Sequence, residues 1–447
     1  MVRSLTVLAS LFVLSAVQAE DWSQFRGPNG DGRADQRQPP IAWGDAQNIA
    51  WKTALPGRGW SSPVTDGQRI WVTAAIEHPL TEEQKEAARK EKLAGNPLAN
   101  QMDVVGSVSL HWQEIDAATG RLLHDQELFS VNNPAAIHSL NSYASPTPIL
   151  DRGRLFCHFG TMGTAAIDVE TGKVLWKTRL PEEHSVGPGG SPVVWGDLLI
   201  VQCDGTESQS VVGLDIRTGE EVWRTKRPPM EGDKGDLHKA FCTPLLIRVG
   251  DRDQLVGLGA QWVVAYDPAT GAEIWKVRHG SGFSNVSRPV YSDGIVFICT
   301  GYMKPELVAI RADGQGDVTE SHVLWRMKRQ VPAMPSPIVV DDLVYIVSDA
   351  GIATCVEAAT GKEVWQERIG GNYSASPLFA NGRIYISSRE GATTVFKTGR
   401  EFVSESVNTL EGQLMASPAL IGNDLVLRSA THLYRISGGP EAKVSAR

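Results

Sequence analysis

The sequence predicts an all-β protein: an eight-bladed β-propeller of four-stranded antiparallel blades, its ring closed by the N-terminal strand. Three observations predict it. A small residue, a proline and an apolar run recur at Ser62-Pro63, Ser145-Pro146, Ser191-Pro192, Thr243-Pro244, Arg288-Pro289, Ser336-Pro337, Ser376-Pro377 and Ser417-Pro418. From Pro146 onward these prolines lie 40 to 52 residues apart, the length of one blade. Between them stand Thr-Gly hairpins that end in tryptophan, from Asp168 to Trp176, Asp215 to Trp223, Asp267 to Trp275 and Glu357 to Trp365.

Each strand of the repeat has its own reason. The first follows the proline, which fixes φ and suits a strand start because it gives no amide to the ladder. About ten residues later comes a β-branched and aromatic run such as Leu343–Val347 or Arg383–Ser387, introduced by a turn at Asp341-Asp342 or Asn381-Gly382, and this makes the second strand. The third and fourth strands flank the Thr-Gly turn. There the acidic residue bonds nearby backbone amides, glycine supplies positive φ and tryptophan offers a large apolar face for packing. Trp51 precedes the first Ser-Pro copy, while the last repeat ends at His432-Leu-Tyr-Arg-Ile436 without a Thr-Gly-Trp strand of its own. The strand carrying Trp51 is therefore expected to complete the last blade, a separate N-terminal cap being the competing reading.

Hydrophobic residues make up 42% of the 447 residues and charged residues 21%, a globular profile. A net charge of -8 with no Lys/Arg-dense stretch argues against a nucleic-acid partner. Residues 1–19 have the outline of a signal peptide: Arg3, an apolar run from Leu5 to Val17, and a small-residue cleavage site at Val17-Gln18-Ala19. That run is shorter than the ~20 residues of a spanning helix, no later segment is long enough, and the signal has no cysteine to carry a lipid. The expectation is a periplasmic or secreted protein, soluble after cleavage, with an N-terminal extension over 20–46, the propeller over 47–437 and a tail over 438–447. About residues 77–106 form an insertion in the first blade, where the stretch from Thr81 to Gly95 has the cap, acidic first turn and closing glycine of a surface helix. The stretch from Asp21 to Gly32 does not match a calcium loop and is expected to be an ordered turn tucking Trp22 and Phe25 against the ring. The five cysteines, an odd number without an adjacent pair, read as buried packing residues.

The recurrent Ala-x-Asp-x-x-Thr-Gly-x-x-x-Trp pattern resembles the tryptophan-docking motif of the pyrroloquinoline-quinone-like (quinoprotein alcohol dehydrogenase-like) β-propeller family, BamB-like members included. The resemblance covers nearly the whole mature chain and implies the fold; it leaves activity open, because the resembling residues pack blade on blade. A quinone dehydrogenase would need calcium, a carboxylate base and, by the resemblance, adjacent cysteines near the cofactor. The sequence holds no Cys-Cys pair, no Cys-x-x-Cys-His haem motif and no hydrolase or phosphate-loop motif, and the channel-mouth segments carry hardly any carboxylates. No cofactor is expected, with pyrroloquinoline quinone plus calcium as the alternative to test.

In a propeller the loops entering the innermost strands converge on one end of the central channel. These segments carry Arg58 and Trp60, His138 with Asn141 and Tyr143, His184, His238 with Lys239, Asn285 with Arg288, and Asn372 with Tyr373. Trp60, His138, Asn141, His238, Lys239, Arg288 and Tyr373 are the candidate ligand-binding residues, suited to a planar or anionic group through stacking and charge-assisted hydrogen bonds. A merely polar, water-filled mouth is the alternative. His138, His184 and His238 include no sequence-local pair for zinc, so no metal or catalytic residue is assigned. The expected function is a monomeric, non-catalytic binding or assembly scaffold for a protein or cell-envelope polymer. A quinone-dependent oxidoreductase using the channel mouth and a sugar- or peptide-binding module are the alternatives. The loop from Gly301 to Glu306 is either a partner contact or a longer hairpin.

Overall fold

Short strands that are apolar on both faces become stable when each sheet covers the next, and this chain repeats that solution eight times. The structure is a computed structural model that describes residues 22–44, 47–181, 183, 185–232 and 235–438. The expected signal peptide, nearly all of the C-terminal tail and His184 lie outside these residues. Eight antiparallel sheets form the blades of the propeller. Blade 2 is representative, with Ile149–Asp151 innermost, then Arg154–His158, Thr164–Asp168 and Val174–Thr178. Its Phe156, Ala166 and Trp176 pack on Leu199, Val201, Val212 and Leu214 of blade 3, so the core is a circle of blade interfaces.

Tryptophan docking has a definite geometry. Trp176 of blade 2 reaches the Thr-Gly turn of blade 3, where its indole N–H donates to the Ile216 carbonyl at 3.0 Å and its ring lies over Gly219. Gly219 sits at φ +74°, and a Cβ there would meet the ring at 2.5 Å, so both backbone and packing require glycine. The same donation runs from Trp51 to Ala117, Trp325 to Ala358 and Trp365 to Gly399, each at 2.9 Å. The acidic residue entering the turn accepts amides two and three residues on, as Asp215 does from Arg217 and Thr218.

The residue before each blade's proline makes a second circular contact. The amide of Ser62 donates to the Thr147 hydroxyl, Thr147 to Ser191, Ser191 to Thr243, Arg288 to Ser336, Ser336 to Ser376, Ser376 to Ser417 and Ser417 back to Ser62, at 2.9 to 3.1 Å. This belt corrects one repeat copy. Blade 2 uses Thr147-Pro148 rather than Ser145-Pro146, because only Thr147 stands where the Ser62 amide can find a hydroxyl. In blade 5 Arg288 replaces the hydroxyl residue altogether.

The ring closes as the sequence predicts, with Ile49–Ala54 pairing antiparallel to His432–Ile436 as the outermost strand of blade 8. The segment before it tucks Trp22 into a core cluster of the ring, as expected, and then runs along the innermost strands. Thr65 and Leu150, on the innermost strands of blades 1 and 2, donate to the Trp22 and Ser23 carbonyls. Arg33–Ala34 then pairs in parallel with Leu378–Ala380 of blade 7, and the Gln38 amide meets Asn423 in a turn of blade 8. In blade 1 the chain between the second and third strands includes the helix Glu82–Lys92, capped by Thr81 and Gln84 in a capping box. Arg89 and Lys92 tie that helix to the carbonyls of Met102, Ala99 and Pro134.

Candidate functional site

Strand direction divides the channel into two ends. The upper end collects the loops entering the innermost strands and the turns between second and third strands; the Thr-Gly turns face the lower end, which residues 22–38 occupy.

The seven candidate residues separate on this geometry. Arg288 is not at the mouth: it lies 1% exposed at the level of the belt, covered by the N-terminal segment, and donates to the carbonyls of Phe25 (2.6 Å) and Pro244 (3.2 Å). The other six are at the upper end, mostly as clasps between loops. Asn141 spends its amide on the carbonyls of Val186 and Pro188, and its oxygen accepts from Ser142 and Ser145. Trp60 is buried beneath the Arg58 guanidinium, which sits 5.2 Å from the ring centroid and bonds the Ser139 and Asn141 carbonyls. His238 is buried, its Nε2 at 3.2 Å from the Glu231 carbonyl. Lys239 is 3% exposed and donates to Ser185 and Asp236, at 2.6 and 2.7 Å. Tyr373 is buried, and its carbonyl accepts from Arg389.

His138 brings part of the set together. Burial first, then the positive charges of Arg389 and Lys239, hold its imidazole below the usual range, while Asp103 acts the other way. Arg389 of blade 7 and Lys239, from the loop entering blade 4, thus both bear electrostatically on this one imidazole. Its own ring nitrogens are engaged, Nε2 with Gln101 at 3.1 Å and Nδ1 with the Leu140 amide. Among the described residues no group of three or more His, Cys, Asp or Glu could hold a metal ion. All five cysteines are free and buried, and burial pushes the Cys242 and Cys355 thiols up to about 12.

Carboxylates also reach the mouth, from turns outside the segments that precede the prolines. Asp349 accepts the Ala333 and Met334 amides at 3.0 and 3.1 Å, and burial raises its carboxyl despite those bonds and Arg389. Glu390 takes the opposite course. Burial raises it, but hydrogen bonds from Asn372 and Ser388 outweigh that and bring it to about 2. Arg389 lies between them, tied to Ser374 and the Tyr373 carbonyl. Sequence reasoning missed all three because they arrive on the turns between second and third strands, and it looked only before the prolines. A signal was present, since Ser348-Asp-Ala-Gly351 and Ser388-Arg-Glu-Gly391 repeat one Ser-x-x-Gly turn a blade apart.

A second group on this end is apolar. Leu237, Val286, Tyr302 and Met303 are exposed, Met303 by 73%. Phe283 and Tyr302 meet edge to face at 5.9 Å, and the Ser284 amide joins this loop to the Lys239 carbonyl, beside Leu237. Met303 has φ +77° and Ser284 +52°, left-handed conformations that side chains other than glycine adopt seldom.

A family model described as "Outer membrane protein assembly factor BamB" matches residues 90–248, 259–318 and 315–419. The outer membrane protein assembly factor BamB of Burkholderia pseudomallei (strain K96243) is 32% identical over 92 residues, 21% of this chain and 23% of that protein. A tetrathionate hydrolase of Acidianus ambivalens is 25% identical over 157 residues, 29% of each chain. The matches thus span less than a third of either relative. BamB from Moraxella catarrhalis superposes with a TM-score of 0.50 at 17% identity, covering 81% of this chain and 98% of that one. Quinohemoprotein alcohol dehydrogenase from Comamonas testosteroni gives 0.52 at 13% identity, covering 97% and 83%. At such identities the solved structures establish the fold alone. With the docking tryptophans in place and the family model matching well over half of its length, the chain belongs to the BamB family of pyrroloquinoline-quinone-like β-propellers.

Proposed function

We propose that this propeller is an exported, non-catalytic scaffold that binds a protein or cell-envelope polymer with its upper face. The observation that carries the reading is the set of exposed apolar residues on the upper loops, Leu237, Val286, Tyr302 and Met303, with Phe283 packed edge to face on Tyr302. Burying exposed aromatic and methionine side chains against a partner recovers about 25 cal/mol per Å² of apolar surface, and Met adapts to irregular surfaces. A strained loop that holds Met303 in solvent weakens the isolated chain, so the arrangement makes sense as a contact surface. The family description as an assembly factor supports a protein as the partner. The test is a photo-crosslinking residue in place of Met303, expressed in the envelope of the native cell. A discrete protein adduct at 303 that is absent with the same probe at Leu175, on the outer edge of blade 2, supports the scaffold; no adduct at either position sinks it.

Asp349 beside Arg389 favours a second reading, a quinone-dependent oxidoreductase at the mouth, since a raised carboxyl is a possible proton acceptor. The residues do not fit the cofactor well. Both Asp349 oxygens are taken by backbone amides and those of Glu390 by Asn372, which leaves few oxygens for calcium. The five cysteines lie on separate blades, so no adjacent pair borders the mouth. Titration of the mature protein with pyrroloquinoline quinone and calcium, followed by tryptophan fluorescence, decides between the readings, and saturable one-to-one binding would favour the enzyme.

A further inference from the structure

Three arginines are buried along the channel without a carboxylate partner. Arg26, Arg288 and Arg428 are each 1% exposed, and none has an ion pair among the described residues. Arg227 shows what the same fold does when it pairs a buried guanidinium: Asp204 meets it at 2.9 Å, with further bonds to the Gly257 carbonyl and the Tyr266 hydroxyl. Arg26 has far less. Its Nη2 donates to the Pro337 carbonyl at 2.8 Å, while Nε and Nη1 find no acceptor. Arg288, whose charge Arg26 senses, is engaged only by neutral oxygens, those of Phe25, Pro244 and Gln24.

A buried charge costs several kcal/mol unless an opposite charge compensates it. Burial lowers Arg26 to about 9 and Arg288 to about 10, which leaves both protonated at neutral pH. Asp31 is the one carboxylate that favours both charges, and its Oδ1 is held by the Arg33 amide at 3.0 Å. Water can satisfy the orphaned N–H groups of Arg26 but cannot balance the charge. The surroundings also limit size. A Cβ at Gly32 would stand 2.8 Å from both Arg26 Nη2 and the Pro377 carbonyl, so the backbone closes tightly on the guanidinium. Pro337 and Pro377 directly follow Ser336 and Ser376 of the belt; both hydroxyls accept backbone amides, the Ser376 hydroxyl donates to Ser336 Oγ at 2.9 Å, and the Ser336 hydroxyl keeps a proton to donate.

We propose that a single small anion, of the size and charge of chloride, binds inside the channel against the unpartnered Nη1 of Arg26, with Arg288 as the second positive group. The site is independent of whatever the upper face binds. It makes the anion part of the seal between the N-terminal segment and the ring.

Bromide is the probe. The mature full chain is melted in sodium gluconate with increasing sodium bromide at constant ionic strength, and a crystal grown in bromide is measured at the bromine absorption edge. The expected results are a saturable rise in Tm of about 2 °C or more, and an anomalous peak within hydrogen-bond distance of Arg26. Arg26→Gln should abolish the rise, and Arg217→Gln, on an exposed turn, should keep it. Identical melting in both salts, with only water beside Arg26, overturns the proposal. If Arg26→Gln does not fold, the anomalous map of the unaltered protein decides alone.

Discussion

The two ends of the channel are built from the same eight strands and differ in what fills them. At the lower end, residues 22–38 bond to the innermost strands through main-chain groups and buried arginine, with Trp22 at 3% exposure inside a core cluster that includes Leu420 and Tyr385. At the upper end, loops are tied to one another by side chains such as Asn141, Lys239 and Arg389, and apolar groups are left in solvent. The contrast teaches that stability is concentrated below and recognition above. A loop held by a few polar clasps can be altered at little cost to the ring, whereas a buried segment shared by most blades cannot.

The largest expected effect is at the lower end. Trp22→Ala should cost about 3–5 kcal/mol in guanidinium unfolding, because a large buried ring is deleted where several blades meet; a loss under about 1 kcal/mol would break the contrast. Arg288→Met comes next, at about 2–3 kcal/mol, since it strips charged donors from the Phe25 and Pro244 carbonyls. Limited proteolysis should then cut near residue 25 before any upper loop.

Acid should act from above. His279 lies beneath the upper loops of blade 4, its Nε2 at 3.0 Å from the Gly259 carbonyl, and burial lowers its imidazole from 6.5 to about 4. A base whose folded value is depressed favours the native state above its unfolded value, and that contribution is lost as pH falls from about 6.5 toward 4. By pH 5.5 the loss should be about 1 kcal/mol, with His279→Gln flattening the slope. Hydrogen exchange should show blade 4 loops loosening before residues 22–34; the reverse order would count against the contrast. Smallest of all is the stability effect of replacing Tyr302 and Met303 together by serine, within about 0.5 kcal/mol. Partner capture through the upper face should nevertheless disappear, which separates recognition from folding.

The ring was legible because its determinants repeat. Eight proline-started strands and the Thr-Gly-Trp hairpins specify blade length, strand order and the closing role of Trp51 from local chemistry alone. Register was less legible where the sequence offered two choices: Ser145-Pro146 and Thr147-Pro148 look alike until the Ser62 amide selects between them. At the mouth, the residues before the prolines led to Trp60, His138, Asn141, His238, Lys239 and Tyr373, while Asp349, Arg389 and Glu390 went unseen on a different turn. Arg288 shows the limit of that reasoning, since its position in the repeat pointed to the mouth and its side chain holds the N-terminal segment.

By itself the sequence determined that this chain is a propeller, because strand, turn and docking residues act over a few positions and recur every blade. The tertiary structure alone decided that residues 22–38 enter the channel, that Arg26 meets Pro337 and that Lys239 meets Ser185. Those contacts join groups up to hundreds of residues apart, and a segment that occurs only once has no repeat to reveal its place. Only closure of the ring brings such partners within hydrogen-bond reach.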